Sequence, residues 1–193
     1  CLLHQPFCDV YGAYKSLEDL YDEGKIRAIG ISNFYTDRMI DIASFARIKP
    51  MVNQIEIHPH HQQTETIEWH KKYDVQPEAW APFGEGRGDM FNLPELKAIG
   101  EKYSKTVAQV ILRWHLQRGI IVIPKSVHIE RMEENFNVFD FELSEEDMNT
   151  ISVLDKKQSS FFSHTDPNMV EWFVKMVAER KGKTNADNEK KEW

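Results

Sequence analysis

The sequence predicts an α/β fold whose parallel sheet is of the barrel type. Short apolar runs alternate with longer segments whose apolar residues recur at helical spacing, and this order is typical of parallel strands joined by crossover helices. Three of the runs begin at Ile26, Met51 and Val75, about 25 residues apart, which leaves room for one strand and one helix each. A doubly wound nucleotide-binding sheet is disfavoured because the sequence contains no Gly-x-Gly-x-x-Gly turn.

Five strands are predicted, and they are too few to close an eight-stranded barrel. Their expected positions are residues 2–3, 26–31, 51–57, 75–81 and 120–123. The chain has 193 residues, whereas a complete (β/α)8 TIM barrel typically has ~250. We therefore expect an incomplete barrel, with about five of eight strands and the N-terminal strands missing. Cys1 opens directly in an apolar run, which favours a piece of a longer protein over a processed mature chain.

Helices are expected between these strands and after the last of them. One begins at Pro94, a residue that suits a first helical turn, and the others cover about residues 10–23, 36–45, 64–73, 107–117, 129–136 and 144–154. Thr36 and Thr64 are predicted N-caps. The predicted capping boxes are Thr106 with Gln109 and Ser144 with Asp147. We expect one domain over residues 1–180, followed by a polar, disordered tail over 181–193.

Composition and charge narrow the classes of partner. The chain is 41% hydrophobic and 28% charged, which is ordinary for a soluble globular protein. Its net charge of −7 argues against nucleic acid, because phosphate backbones are bound by clustered Lys and Arg. The sequence contains no apolar run of ~18 residues, so no membrane span is predicted. Only two cysteines are present, both near the start, which favours a reducing cytoplasm. The oligomeric state cannot be predicted from these features.

Polar or aromatic side chains follow every predicted strand. Because the sites of parallel barrels lie at the carboxyl ends of their strands, we expect these side chains to share one site. They are His4, Ser32, Asn33, Gln54, Trp80, Lys125 and Ser126. Structural interpretations stay open for several of them, namely a core-edge histidine at His4, a turn residue at Asn33, a satisfied polar group at Gln54 and a core residue at Trp80.

The last strand end is the most basic part of this region. Arg131 lies six residues after Lys125, in the first turn of the next predicted helix. A strand end followed by a helix N-terminus is a natural phosphate site, and two cations there favour a ligand with an extra phosphate. Glu134 and Asn135, one turn further, are placed to bond the amino edge of an adenine, although a solvated helix face is the alternative.

A metal site is the weaker hypothesis for the third strand. Glu56 and His58 share one strand face with Gln54, and His60 and His61 follow. Pro59 interrupts the run, however, and no second pair of ligands has a suitable spacing. We therefore expect no metal.

Several motifs carry a resemblance to a known family. They are Leu-Leu-His-Gln-Pro at residues 2–6, Gly-Ile-Ser-Asn-Phe at 30–34, Asn-Gln-Ile-Glu-Ile-His-Pro at 53–59, Ala-Pro at 81–82, Ile-Pro-Lys-Ser-Val at 123–127 and Arg-x-x-Glu-Asn at 131–135. Over residues 2–155 the chain resembles the aldo-keto reductase superfamily. The branch of 2,5-diketogluconate and glyoxal reductases is the most similar, through residues 4–6 and the surroundings of Trp80.

The resemblance implies a (β/α)8 barrel that reduces aldehydes or ketones with NADPH. His4 matches the histidine that orients the carbonyl substrate, and Trp80 stands where an aromatic ring stacks on the nicotinamide. The implied nicotinamide contacts are Ser32, Asn33 and Gln54. The implied contacts to the 2′-phosphate are Lys125, Ser126 and Arg131, and those to adenine are Glu134 and Asn135.

One departure concerns the proton donor. The family's donor is a Tyr tuned by a Lys and an Asp, and all three come from strands before the histidine, whereas only three residues precede His4 here. Asp9 and Tyr14 repeat the family's spacing but lie in a helical pattern, and we interpret that as coincidence. We therefore expect an NADP-dependent enzyme whose chain, as given, is inactive. The alternative is a nucleotide-binding regulatory relative or a truncated non-catalytic one.

Overall fold

The computed structural model describes residues 1–189, with side chains through residue 179. The chain divides into two compact units, Cys1–Ser160 and Phe161–Trp193. The first unit contains the whole sheet, and the second contains one long helix. Among residues 1–189, no helix combines the length and the apolar character needed to cross a membrane.

The sheet has five parallel strands, which lie side by side in chain order. They are β1 (Leu2–Leu3), β2 (Gly30–Ser32), β3 (Val52–Glu56), β4 (Gln76–Trp80) and β5 (Ile121–Val122). The pairing is longest between β3 and β4, from Val52 opposite Gln76 to Glu56 opposite Trp80. Because all strands run the same way, their carboxyl ends meet at one edge, as the sequence predicts.

Helices connect and follow the strands. They are α1 (Val10–Asp22), α2 (Thr36–Phe45), α3 (Thr64–Tyr73), α4 (Pro94–Tyr103), α5 (Val107–Gln117), α6 (Ile129–Phe136), α7 (Glu145–Ser152) and, in the second unit, α8 (Pro167–Glu189). The predicted helices are confirmed to within two residues at each end. The predicted tail over residues 181–193 lies outside the described side chains, and its last four residues lie outside the described structure altogether.

Two segments differ from their predictions. The strand predicted over residues 26–31 is shorter, since only Gly30–Ser32 joins the sheet. Pairing of neighbouring backbones decides where a strand begins, and β1 offers only two residues to pair with. Gly30 sits where an added Cβ would lie 2.4 Å from the Val52 carbonyl oxygen, so this approach requires glycine. Residues 84–92, for which no helix or strand is predicted, form irregular 3-10 turns, in which Glu85, Gly86, Gly88 and Asp89 have positive φ.

Helix capping follows the predictions in part. Both capping boxes are present, at Thr106 with Gln109 and at Ser144 with Asp147. The single-residue caps are wrong, because Thr36 and Thr64 are the first helical residues and the capping positions belong to Tyr35 and Gln63, neither of which makes a side-chain cap bond. A capping box fixes two mutually dependent hydrogen bonds, whereas a lone threonine fits either position.

Apolar side chains form two cores. One, around Trp114, Ile111 and Ile55, joins β3 and β4 to helices α4 and α5. The other, around Tyr14 and Phe34, packs α1 and α2 against the start of the sheet. Each fully buried aliphatic side chain contributes roughly 1.5–3 kcal/mol. These cores therefore hold the strand ends in fixed positions relative to one another.

Candidate functional site

Four strand ends carry a connected group of side chains, which we name the strand-end network and define as His4, Ser32, Asn33, Gln54 and Trp80. Asn33 lies at its centre with a left-handed backbone (φ 64°), and it is 4% exposed. Its Nδ2 donates to the His4 carbonyl oxygen at 3.0 Å and to Ser32 Oγ at 3.2 Å. Trp80 Nε1 donates to Asn33 Oδ1 at 2.9 Å. The ends of β1, β2 and β4 are thus tied through one amide.

Ser32 and Gln54 extend the network to β3. Ser32 Oγ donates to the Gln54 carbonyl oxygen at 3.0 Å, and Gln54 Nε2 donates to Glu78 Oε1. Glu78 was not among the predicted site residues, because a glutamate within a strand gives no signal until its neighbour is known. Amide and hydroxyl oxygens each have two lone pairs. Asn33 Oδ1 and Gln54 Oε1 therefore keep acceptor capacity for the N–H groups of a planar amide.

The predicted role of Trp80 changes in one respect. The sequence suggested a flat ring for stacking, and the structure shows that the indole N–H is also used, since it fixes the Asn33 side chain. The ring is half-buried. His4 follows β1 and is exposed, so its imidazole is accessible to a bound molecule while its backbone carbonyl belongs to the network.

The remaining predicted residues line one cleft of about 660 Å³ beside α6, which we name the α6 cleft. Lys125, Ser126, Arg131, Glu134 and Asn135 all contribute to it. The structure thus brings together five residues that the sequence analysis grouped from spacing alone. Seven further lining residues were not predicted as site residues, namely Phe83, Phe91, Thr106, Val107, Ala108, Val127 and His128.

Positive charge is concentrated at the start of α6. Lys125 and Arg131 are exposed, and neither forms an ion pair with any side chain of residues 1–179. The capping position of α6 is His128, which makes no side-chain cap bond, so the first backbone N–H groups remain open to an anion. Ser126 Oγ accepts from the His128 backbone N–H at 3.1 Å, which fixes the turn between strand and helix. This arrangement can bind a phosphate.

The acidic end of the cleft is fixed by the N-terminus of α5. Thr106 Oγ1 donates to Glu134 Oε1 at 2.6 Å. Gln109 Nε2 donates to the Glu134 carbonyl oxygen at 3.1 Å and to that of Asn137 at 2.9 Å. The capping box was predicted from sequence, but its bonds to α6 join residues 25 to 28 positions apart and carry no local pattern.

The third strand ends in a buried acid–histidine pair. Glu56 and His58 are fully buried, and His58 Nε2 lies 2.9 Å from Glu56 Oε1. Burial acts to raise the pKa of Glu56, but hydrogen bonds from His58, Ser159 and Ser160 outweigh it and hold that pKa below its usual value. The pair therefore anchors residues 159–160 to the strand end. Within the described side chains, no group of three or more His, Cys, Asp and Glu residues is placed to hold a metal ion.

Asp9 and Tyr14 have structural positions. Asp9 caps α1 by accepting from the Gly12 backbone N–H at 2.9 Å. Tyr14 is 1% exposed, and burial, followed by the nearby Glu18 carboxylate, raises the pKa of its hydroxyl. Asp9 therefore serves α1 as its N-cap, and Tyr14 belongs to the buried core of the first helices.

Comparison with known proteins identifies the family. The model of the aldo/keto reductase family matches residues 1–156. Glyoxal reductase of Bacillus subtilis is 47% identical over 158 residues, which are 81% of this chain and 56% of that protein. The chain spans about half the length of the curated relatives it matches.

Solved structures agree. An aldo-keto reductase from a Medee basin deep-sea metagenome library superposes with a TM-score of 0.81 at 38% identity, over 86% of this chain and 62% of that one. An aldo-keto reductase of Bombyx mori in complex with NADP gives a TM-score of 0.77 at 29% identity, over 81% and 57%. The chain therefore belongs to the aldo/keto reductase family of oxidoreductases. The predicted fold class is confirmed, with five parallel strands forming part of a barrel.

Proposed function

We propose that this chain forms the NADP(H)-binding part of an enzyme that reduces small aldehydes or ketones to alcohols. One observation carries the proposal, which is that Lys125 and Arg131 converge with the uncapped start of α6 on a single cleft. Membership of the aldo/keto reductase family supports it. The complexes of relatives with NADP and NADPH support the choice of cofactor.

The charge distribution favours NADP(H) over NAD(H). The protein carries a net charge of −7, so a general attraction for polyanions is not expected. Lys125 and Arg131, however, are exposed and have no ion-pair partner among the described side chains, so they can attract a phosphate locally. In this proposal Lys125, Ser126 and Arg131 hold the 2′-phosphate, and Glu134 and Asn135 face the adenine. Arg offers a planar pair of donors that fits a phosphate, and Lys adds a point charge.

The strand-end network suits a nicotinamide carboxamide. Asn33 and Gln54 present fixed amide oxygens that accept N–H bonds, and Ser32 supplies a hydroxyl whose orientation is set by its bond to β3. The half-buried ring of Trp80 offers an apolar surface. NADPH, when bound, supplies the hydride for reduction of a carbonyl carbon. The exposed imidazole of His4, a member of this network, is proposed to donate a hydrogen bond to the carbonyl oxygen and so to orient the substrate.

Reduction also requires a proton for the substrate oxygen, and a well-placed general acid contributes typically 10²–10⁴-fold. Within these 193 residues the tyrosine at the family's spacing from an aspartate is Tyr14, which is buried. We therefore propose that the chain as given binds NADP(H) but does not turn over carbonyl substrates by itself. A regulatory or truncated non-catalytic relative is the second candidate, and it would bind the nucleotide in the same cleft without reducing carbonyl compounds.

The proposal is tested by comparing NADPH with NADH. The quenching of tryptophan fluorescence on titration gives a Kd for each nucleotide with the unmodified chain and with Arg131→Ala. Loss of one charged contact is worth about 1.5–3 kcal/mol, so we expect Arg131→Ala to weaken NADPH roughly tenfold or more and NADH by less than twofold. Exposed Arg27, which lies outside the α6 cleft, provides the matched control Arg27→Ala. Equal losses for both nucleotides would contradict the phosphate assignment.

The cellular setting is part of the proposal. Cys1 and Cys8 are both free thiols, which suits a reducing cytoplasm. The partner proposed is a small carbonyl compound, with no nucleic acid or membrane involved.

A further inference from the structure

Helices α5 and α6 make a short contact at the acidic end of the α6 cleft. Thr106 Oγ1 donates to Glu134 Oε1 at 2.6 Å, a distance typical of a hydroxyl bonded to a carboxylate. The same hydroxyl accepts from the Gln109 backbone N–H at 3.3 Å as the N-cap of α5. One donor and one acceptor site of the hydroxyl are thus used, and its orientation is determined.

The bond leaves a defined part of the carboxylate available. Glu134 Oε1 is occupied by Thr106, and Oε2 has no hydrogen-bond or ion-pair partner among residues 1–179. Glu134 lines the cleft and is half-buried, and Thr106 lines the same cleft. A free glutamate side chain samples several rotamers, and fixing it before a ligand arrives lowers the entropy cost of binding.

The backbone beneath Glu134 is fixed independently. Gln109 is 5% exposed, and its amide is fully used, because Oε1 accepts from the Thr106 backbone N–H while Nε2 donates to the carbonyl oxygens of Glu134 and Asn137. Loss of the Thr106 hydroxyl would therefore release the carboxylate without releasing the helix.

We infer that Thr106 is a positioning residue that determines selectivity for adenine. By holding Oε1, Thr106 directs Oε2 into the α6 cleft, where it accepts a hydrogen bond from the 6-amino group of the base. Hypoxanthine has a carbonyl oxygen at that position, so the same carboxylate oxygen would face an acceptor and repel it. This inference rests on the proposed function, and it adds a residue of the cleft that acts through Glu134.

The test compares NADPH with nicotinamide hypoxanthine dinucleotide phosphate, which differs only at that base. We expect the unmodified chain to prefer NADPH by about tenfold or more, since one hydrogen bond is exchanged for one repulsive contact. Thr106→Val removes the hydroxyl and keeps the shape of the side chain. It should reduce the preference about fivefold, while the preference for NADPH over NADH, set by Lys125 and Arg131, changes by less than twofold.

Three variants separate positioning from a structural role. Thr106→Asp keeps an N-cap acceptor for α5 but cannot donate to Glu134, so it should lose selectivity with little loss of Tm. Thr106→Ser retains both bonds and should restore the unmodified preference. Thr150→Val on α7 removes a comparable hydroxyl, which donates to the Glu146 carbonyl oxygen, and should leave the base preference unchanged.

The outcomes are distinguishable. An unchanged base preference in both Thr106→Val and Thr106→Asp, with NADPH still bound, would overturn the inference and leave the proposed function standing. Failure of the unmodified chain to bind NADPH would overturn both. The third outcome is a base preference that falls in Thr106→Val, together with Tm, but stays unchanged in Thr106→Asp. That result would assign Thr106 a capping role alone and would also overturn the inference.

Discussion

The centre of the sheet and its β5 edge are built differently. In the centre, β3 and β4 pair over five residues and are covered by fully buried side chains such as Ile55, Ile111 and Trp114. At the edge, β5 pairs with β4 through two residues, and α6 contains no buried residue. The centre is held by apolar packing, whereas α6 at the edge has no buried side chain and is attached to α5 through hydrogen bonds.

The polar attachments at the edge are specific. Gln109 is bonded to two carbonyl oxygens of the α6 region, and Lys105 forms an ion pair with Asp140 at 2.7 Å. Directional bonds of this kind place backbone and carboxylate groups accurately without covering them. The cleft proposed for the nucleotide therefore lies where polar contacts position the chain, and the apolar core gives that region rigid support.

The largest loss in the free energy of unfolding is expected from a substitution in the centre of the sheet. Ile111 is 0% exposed within the core around Trp114, and Ile111→Ala would leave a cavity there. We expect a loss of about 2–5 kcal/mol in the free energy of unfolding, measured by urea denaturation followed by circular dichroism. A loss below about 1 kcal/mol would show that the centre does not depend on this packing.

A smaller loss in the free energy of unfolding is expected when Asp147, which joins α7 to α4, is substituted. Its carboxylate accepts from Tyr103 at 2.5 Å and from Lys102 at 2.9 Å. Burial acts to raise its pKa, but the bonds from Tyr103, Ser144 and Lys102 outweigh it and lower the pKa from 3.8 to about 2. The folded pKa lies below the unfolded one, so this contribution is present above about pH 4 and is lost as the pH falls towards 2.

Urea denaturation at a series of pH values tests the contribution of the Asp147 carboxylate. At pH 7 the contribution is about 2–3 kcal/mol, and Asp147→Asn should remove much of it. The difference in unfolding free energy between the unmodified chain and Asp147→Asn should then shrink between pH 4 and pH 2. A difference that stayed constant over that interval would contradict an ionic origin. Exposed Glu146 of the same helix provides the control Glu146→Gln.

The smallest change in the free energy of unfolding is expected from a substitution on the outer face of α6. Phe136 is 76% exposed and contacts the Phe139 ring at 5.7 Å. Phe136→Ser should change the free energy of unfolding by no more than about 0.5 kcal/mol, in contrast to Ile111→Ala. A loss comparable with that of Ile111→Ala would mean that the edge is packed as tightly as the centre, and the comparison would fail.

Much of the fold could be predicted because its signals are local. Helical spacing, the two capping boxes and the apolar strand runs each depend on residues close in sequence, and they gave the correct elements and the parallel order. The start of β2 could not be predicted, because a strand begins where a neighbouring backbone pairs with it. Thr36 and Thr64 were misplaced by one residue, since a threonine fits both the capping position and the first turn.

The candidate site could be predicted from the sequence to a similar extent. The spacing of Lys125, Ser126 and Arg131 indicated one anion site, and these residues do share a cleft, although their roles stay predictions. Thr106 was recognised only as a cap, because its bond to Glu134 spans 28 positions. The Trp80 ring was identified, but its N–H bond to Asn33 depends on two strands lying in one sheet. Contacts between distant segments leave no pattern in a single sequence.

The central claim is that the cations beside α6 bind a ribose 2′-phosphate. Hydrogen–deuterium exchange of the chain, measured with saturating adenosine 2′,5′-bisphosphate and again with adenosine 5′-monophosphate, tests it most directly. We predict that the bisphosphate slows exchange in peptides covering residues 125–135, while the monophosphate at the same concentration does so weakly. Equal responses to the two nucleotides, or protection confined to other segments, would contradict the claim.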